Sequence, residues 1–321
     1  MKLIIQIPCL NEEATLPTTL ASLPRSIPGI TSIETLIIDD GSSDKTSEVA
    51  RAHGVKHIVR FAKRRGLARA FQAGLDASLK AGADIIVNTD ADNQYKGEDI
   101  PRLIQPIMQG KANIVIGNRD IENVKQFSWL KKRLQRLGSW VVRNLAGSSI
   151  ADATTGFRAY DREAALRLNI ISDYTYTLES IIQAEHKGLA IANIIISTNK
   201  VDRKSRLFKS IPEYIKRSVI TLIRMYSMFN PFRLFTRIGF IFTFLGLFIG
   251  CRFLIYYLLG HGQGKIQSLI LAAVLILIGV QAFIVGLVAD LVSANRRLIE
   301  ECLLRIKRLE LASDQKHNNP Q

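Results

Sequence analysis

The sequence predicts an α/β domain built on a mostly parallel sheet, followed by interfacial helices and a two-helix transmembrane hairpin. Two observations carry the domain. Short apolar runs alternate with amphipathic stretches over the first 210 residues, and several of those runs are nearly continuous in Ile, Val and Leu, as strands buried on both faces should be. A third observation carries the hairpin. From Ile238 to Gly260 only Arg252 is charged, and from Ile266 to Ala289 nothing is. As helices these segments are about 34 to 36 Å long, enough to cross a hydrocarbon core about 30 Å thick.

Taken in order, strands are expected at LIIQI, TLIID, HIVRF, DIIVNTD, NIVIG and IANIIIS, and helices at 12–23, 44–53, 66–81, 98–109, 128–146 and 176–187. In such sheets ligands bind beyond the carboxyl ends of the strands. Polar clusters stand there: PCLNEE after the first strand, DGSSDKT after the second and DADNQ after the fourth. Between Phe127 and Leu145 apolar residues recur every three or four positions with Lys131, Lys132, Arg133, Arg136 and Arg143 among them. That basic amphipathic helix suits a membrane surface and the flank of a sheet equally. Residues 211–235 repeat the pattern beside the first span and read as interfacial juxtamembrane helices. The expected division is therefore a catalytic-size domain over 1–210, interfacial helices over 211–235, a hairpin over 236–290 with spans at about 238–260 and 266–289, and a C-terminal helix and tail over 291–321. The tail after Leu311 has the composition of disordered chain.

The formal net charge is +15, which by itself fits nucleic acid, anionic lipid or a phosphorylated substrate. Its distribution favours lipid. Residues 200–217, KVDRKSRLFKSIPEYIKR, carry seven basic residues against two acidic ones just before the first span, where anionic head groups and lipid phosphates are met; no nucleic-acid partner is expected. Arg224, Arg233 and Arg237 precede the hairpin and Arg296, Arg297, Arg305, Lys307 and Arg308 follow it, whereas its turn offers only Lys265. The positive-inside rule then places the domain and both termini in the cytosol, as an integral protein of the cytoplasmic membrane. MKLIIQIP is too short an apolar stretch for a signal-peptide core. Cys9, Cys251 and Cys302 and the five histidines show no metal-ligand spacing, which argues against a disulfide framework and a zinc site.

Asp90 and Asp92 end the fourth strand one residue apart. In extended chain, positions i and i+2 point the same way, so both carboxylates could meet one hard cation such as Mg²⁺ or Mn²⁺, which takes carboxylates together with substrate phosphates. A solvated strand-to-helix turn uses the same residues, and the pair alone does not choose between the two. Likewise Ser42, Ser43 or Asp44 could cap the following helix while Asp39 and Asp40 bind a ligand.

PCLNEE, IDDGSSDKT, RRGLARAFQAG, NTDADNQY, IVIGNR and DATTGFRAYDREAAL together resemble, in order and spacing, the family 2 inverting glycosyltransferases of the GT-A fold, a Rossmann-like α/β architecture. Within them the pattern is most similar to the polyprenyl-phosphate glycosyltransferases, such as dolichol-phosphate mannose synthases and bacterial undecaprenyl-phosphate glucosyltransferases. The resemblance implies that Pro8, Asn11, Glu12, Asp39, Asp40, Asp90 and Asp92 line a nucleotide-sugar pocket. It implies that Asp90, Asp92 and Gln94 hold a divalent cation, Mg²⁺ or Mn²⁺. The chain departs from the pattern at Asn93, where relatives commonly have Leu, and at Asn118, where they have Ser.

The implied reaction selects further residues. Cleaving the bond between the anomeric carbon and the diphosphate builds negative charge on the leaving group, which a metal and nearby cations stabilise. A sugar hydroxyl as acceptor would need a general base. A lipid monophosphate, with a second pKa near 6, is mostly dianionic at pH 7 and does not. Such a site should be rich in Arg. Arg119 and Arg203 occupy positions resembling the family's phosphate-binding arginines, with Arg133 and Arg136 as further acceptor-phosphate candidates; Asp92, Asp152, Arg119 and Arg203 are the expected catalytic set. Asp152 stands where relatives place an acidic residue near the acceptor, for positioning or for holding an arginine. Thr155, Gly156 and Phe157 are candidates for the wall around the sugar, and Glu179 for support behind it. The function expected is metal-dependent, inverting transfer of a single hexose-type sugar from a nucleotide sugar, UDP-linked rather than GDP-mannose, to undecaprenyl or dolichyl phosphate. A processive polysaccharide synthase is the rival enzyme, though its Q-x-x-R-W signature is absent; a catalytically inactive GT-A scaffold is the rival of another class. The number of chains that assemble is left open, a homo-oligomer included.

Overall fold

The computed structural model describes residues 1–119, 152–171, 176–199, 220, 223–224, 226–260 and 266–318. The chain divides into two compact units, residues 1–222 with 304–321, and residues 223–303.

The first unit is a seven-stranded sheet with helices on both faces. Its elements are β1 (Lys2–Cys9), α1 (Leu16–Ala21), β2 (Ser32–Asp39), α2 (Thr46–Ala52), β3 (His57–Arg60), α3 (Leu67–Lys80), β4 (Ile85–Asn88), α4 (Ile100–Met108, entered through a 3₁₀ turn at Gly97–Asp99), β5 (Ile114–Asn118), β6 (Arg158–Asp161), α5 (Arg162–Arg167), α6 (Tyr176–His186) and β7 (Ile191–Ile195). The strand order is β3-β2-β1-β4-β6-β5-β7. Every pair is parallel except those of β6, which runs antiparallel to β4 and β5. The mostly parallel sheet is as expected, and all six predicted strands are present. β6 is an addition: RAYD carries two charges in four residues and shows no apolar run to mark it. The helix expected at 12–23 shrinks to α1, and 128–146 lies outside the described residues.

The alternation of β1 builds two cores. Leu3, Ile5 and Ile7 join Leu16, Ile100, Leu103 and Ile104 on one face, all fully buried. Gln6, on the other face, lies under α3, where a methyl group on Gly74 would meet Gln6 Oε1 at 2.5 Å and Ile38 Cδ1 at 2.9 Å. Gly74 is therefore small so that α3 can sit close to the sheet. In register with Gln6, Asn88 interrupts β4 and accepts a hydrogen bond from Gln6 Nε2 at 3.0 Å.

In the second unit α7 (Pro231–Leu258) and the first part of α8 (Ile266–Asn318) pair closely at glycine: a methyl group on Gly246 would meet Ile276 Cγ1 at 2.7 Å and Ala272 O at 2.9 Å. Close backbone approach at small residues is how helices associate in lipid. Among the described residues these two helices are long and apolar enough to cross a membrane, with mean hydropathy 2.2 and 2.8 over their most apolar windows, and they leave most of their large apolar side chains exposed. The Arg252 guanidinium lies 5.7 Å from the Tyr256 ring centre.

The helix boundaries differ from those expected. α7 starts at Pro231, inside the segment read as interfacial; most of the remainder of 211–235 lies outside the described residues. The second span and the expected C-terminal helix form one continuous helix, α8, which runs on past Leu311 for a total of 53 residues, to Asn318, about 80 Å at 1.5 Å per residue. No Gly or Pro interrupts 287–318, so nothing in the backbone ends the helix. Its last turns belong to the first unit, where Lys307 pairs with Asp76 at 2.8 Å and Arg308 donates to both Glu163 oxygens at 2.8 and 2.9 Å.

Candidate active site

The parallel register, with Cys9 opposite Asp39 and Gln6 opposite Asn88, brings the loops after β1, β2 and β4 to one sheet edge. The first two are sewn together. Asn11, at φ +56°, donates its N–H to Ser42 Oγ at 3.0 Å and accepts from Ser43 N–H at 2.8 Å; Glu12 N–H donates to Thr46 Oγ1 at 2.9 Å. Asp39, fully buried, accepts from Ser42 N–H at 2.7 Å and from the Ser47 hydroxyl. Asp40 accepts from Arg65 N–H at 2.6 Å and Gly66 N–H at 2.9 Å, fixing the turn into α3. Asp44 accepts from Thr46 N–H at 3.0 Å and supports the start of α2. Pro8 lies half-buried in β1 beside this edge. The predicted nucleotide residues therefore share a rim, and two of them, Asp39 and Asp40, also organise it.

β4 stops at Asn88, so Asp90 and Asp92 lie in the turn that follows rather than along the strand, close enough for the Asp92 charge to act on Asp90. Asp92 Oδ1 accepts from Gln94 N–H at 3.1 Å, and Asn93 takes φ +56°, a left-handed conformation that Asn tolerates better than most residues. That requirement gives the departure at Asn93 a backbone reason. Burial, then the nearby Asp92 carboxylate, raise the Asp90 pKa to about 7 against the opposing pull of Arg119. Asp90 packs on Gly156: a methyl group there would meet Asp90 Oδ1 at 2.9 Å and Tyr176 Oη at 3.0 Å.

On the far side Arg119, at the end of β5, and Asp152 form a two-pronged ion pair, Nε to Oδ2 at 2.7 Å and Nη2 to Oδ1 at 3.1 Å. Thr154 adds its N–H and hydroxyl to Asp152 at 3.1 and 2.9 Å. Although burial works to raise it, Arg119 together with Thr154 holds the Asp152 carboxyl below its usual range. Arg133, Arg136 and Arg203 lie outside the described residues.

The charges around Asp90 do not balance. Asp92 and Glu12 repel it and Arg119 attracts it, but Arg119 is already paired with Asp152. Among the described residues no donor bonds the Asp90 carboxylate, and no cluster of three or more His, Cys, Asp or Glu is present. Asp90 and Asp92 nonetheless present two hard carboxylates, one of them without a donor among those residues, a set that fits a divalent cation drawing its remaining ligands from a diphosphate.

Sequence reasoning missed the support beneath this site. Asn88 Nδ2 donates to Gly156 O at 2.8 Å and to Tyr176 Oη at 2.9 Å; Tyr95 Oη accepts from Gly156 N–H at 3.2 Å, and its ring stacks on Phe157 at 5.1 Å. Arg158, fully buried, donates to the Thr155, Thr177 and Ala153 carbonyls at 2.8 to 2.9 Å. The signal was there: Gln6 and Asn88 are polar breaks in apolar runs. Glu179 is buried on α6 and accepts from Ile171 N–H at 3.0 Å, tying down the chain before that helix. A groove of about 740 Å³ at the opposite sheet edge, lined by Met1, Asp84 and Asn113 among others, holds none of the site residues.

Gly156 yields a direct prediction. Gly156→Ala should lower catalytic efficiency at least about tenfold, because a methyl group 2.9 Å from Asp90 Oδ1 must displace that carboxylate. Thermal melting of the same variant, shifted by only a few degrees, would separate displacement from unfolding.

The chain is similar to known proteins in sequence and in fold. Residues 4–168 match the model of Glycosyl transferase family 2. An undecaprenyl-phosphate mannosyltransferase from Micrococcus luteus is 30% identical over 207 residues, covering 61% of this chain and 83% of that protein. A polyprenol monophosphomannose synthase from Mycolicibacterium smegmatis is 27% identical, covering 60% and 76%. Among solved structures, glucosyl-3-phosphoglycerate synthase from Mycobacterium tuberculosis, in complex with Mn²⁺ and UDP-glucose, superposes with TM-score 0.54 at 21% identity over 70% of this chain and 78% of that one, which establishes the GT-A fold. With the family match spanning half the chain and its motifs gathered at one sheet edge, this protein belongs to glycosyl transferase family 2 and is a glycosyltransferase.

Proposed function

We propose that the enzyme transfers one hexose-type sugar from a nucleotide sugar, UDP-linked rather than GDP-mannose, to a polyprenyl phosphate, inverting the anomeric carbon and yielding a polyprenyl-phosphate sugar. The observation that carries this reading is the engagement of Asp152. An acidic residue poised on the acceptor side would be the natural general base, but this one is gripped by Arg119 and held ionised. An acceptor that is already an anion needs no base. The names of relatives that act on undecaprenyl and polyprenol phosphates support the same acceptor class. The preference for UDP rests on the two-span layout, which resembles that of UDP-glucose-using members.

Asp90, Asp92 and Gln94 are the residues that would hold the divalent cation, which when bound neutralises charge on the leaving diphosphate. Asn11, Glu12, Asp39 and Asp40 shape the nucleotide rim. Arg119 brings positive charge between the carboxylate pair and the acceptor side, and Arg133, Arg136 and Arg203 are proposed to meet the acceptor phosphate. The excess of basic residues on both flanks of the hairpin supports a cytosolic domain and cytosolic termini.

The purified full chain with Mn²⁺ and undecaprenyl phosphate should label the lipid from UDP-glucose or another UDP-hexose and much less from GDP-mannose. Product carrying a growing sugar chain would indicate a processive synthase instead. No product from any donor would leave the scaffold reading.

A further inference from the structure

We infer that Asn199 is a positioning residue for the metal loop, an assignment that rests on the reading of Asp90, Asp92 and Gln94 as cation ligands. One residue pins two successive carbonyls of that loop: Asn199 Nδ2 donates to Asn93 O at 2.9 Å, and Asn199 N–H donates to Gln94 O at 2.9 Å. Both bonds fall at the left-handed residue Asn93 and its neighbour, immediately after Asp92. Between the end of β4 at Asn88 and the 3₁₀ turn at Gly97, the loop is also held by the Thr19 hydroxyl on Ala91 O at 2.9 Å and by Gln94 N–H on Asp92 Oδ1 at 3.1 Å, but Asn199 binds the carbonyls of both residues that follow Asp92.

Asn199 follows three residues of a strap that are each anchored. Ile196 N–H donates to Asn118 O at 2.9 Å, next to Arg119; Ser197 N–H donates to Asp99 Oδ2 at 2.8 Å; and Thr198 pairs antiparallel with Tyr95. The strap therefore joins the Arg119 side of the site to the carboxylate loop, which it meets at Asn199. Its amide fixes where the backbone of 93–94 lies, and that backbone sets the spacing of Asp92 and Gln94. Groups that orient metal ligands without touching the metal commonly govern affinity by about ten- to a hundredfold.

Mn²⁺ binding to the full chain with UDP present, followed by the electron paramagnetic resonance of free Mn²⁺, tests this without needing turnover. Asn199→Ala and Asn199→Asp both remove the amide donor and keep the backbone N–H, and each should weaken Mn²⁺ binding about tenfold or more. Asp99→Ala loosens the same strap at Ser197, away from the carboxylates, and should change binding less than about twofold. Wild-type-like Mn²⁺ affinity in Asn199→Ala, or an equal loss in Asp99→Ala, would overturn the assignment while leaving the metal site itself intact. A wild-type chain that takes up no Mn²⁺ would overturn the metal reading and the assignment together.

Discussion

Asp92→Asn reduces sugar transfer by roughly a thousandfold and eliminates Mn²⁺ binding. The size follows from what the carboxylate pair must do. Stabilising a departing diphosphate in a water-poor site is worth several kcal/mol, and about 4 kcal/mol corresponds to three orders of magnitude in rate. Asn keeps the shape and the acceptor for Gln94 N–H but removes the charge. The state of Asp90 makes a second measurement available. Its pKa of about 7, raised by burial and by Asp92, means that near neutral pH it is about half protonated, and a cation must displace that proton. Calorimetry of Mn²⁺ binding in buffers of different ionisation enthalpy should therefore report proton release that grows as the pH is lowered through about 7. In Asp92→Asn the repulsion that helps raise Asp90 is gone and its pKa falls. The sign for stability is fixed by the same shift. A carboxyl whose folded pKa lies above its unfolded value destabilises the metal-free fold as pH rises between the two, from about 4 to about 7. Saturating Mn²⁺ should flatten that slope. Full activity in the variant, or after chelation, would remove Asp90 and Asp92 from the metal role.

Much of the sheet was legible because its signal is local. LIIQI, TLIID and DIIVN announce strands buried on both faces, and polar residues after each run mark the ligand edge of a parallel sheet. β6 was not legible, since its fitness for the sheet depends on Arg158 finding three carbonyls from residues before it and from α6; nothing in RAYD itself says so. The end of α8 was misread for a related reason. Composition after Leu311 is that of loose chain, while the helix is held by Lys307 and Arg308 gripping Asp76 and Glu163, residues more than a hundred positions away. The candidate site divides in the same way. Asp90 and Asp92 stand out by spacing, although the turn that brings them together does not. Gln6, Asn88, Tyr95 and Tyr176 form their network only once β1, β4 and α6 are in place. Asn93 is an informative middle case: it was visible as a departure, and its left-handed φ supplies a physical reason for Asn there.

Arg119→Met should cost about 3 to 5 kcal/mol of stability and at least a hundredfold in catalytic efficiency, because it strands a buried charge. The Arg119 and Asp152 side chains are 9% and 0% exposed, and removing one partner of such a pair leaves the other ionised without compensation. Arg119→Lys keeps the charge and loses the fork that meets both Asp152 oxygens, so it should fold better than Met and still transfer poorly. The reciprocal variant, Asp152→Asn, separates structural from chemical roles. If Asp152 were an obligatory base, Asn would abolish transfer. If it serves to hold Arg119, Asn keeps one acceptor for the guanidinium and a measurable fraction of the rate survives. The pH dependence carries an independent sign. Asp152 is depressed in the folded state, so its stabilisation is complete above the unfolded carboxyl value of about 3.9 and is lost as pH falls through the lower folded value. The gap in melting temperature between wild type and Asp152→Asn should be widest near pH 7 and close below about pH 4. Loss of Arg119 also removes its attraction, which counters Asp92 and Glu12 at Asp90. The Asp90 pKa then climbs further, and Mn²⁺ binding by Arg119→Met at pH 7 should release more proton than by the wild type. A variant whose proton release matches wild type would show that Arg119 and the carboxylate pair act independently.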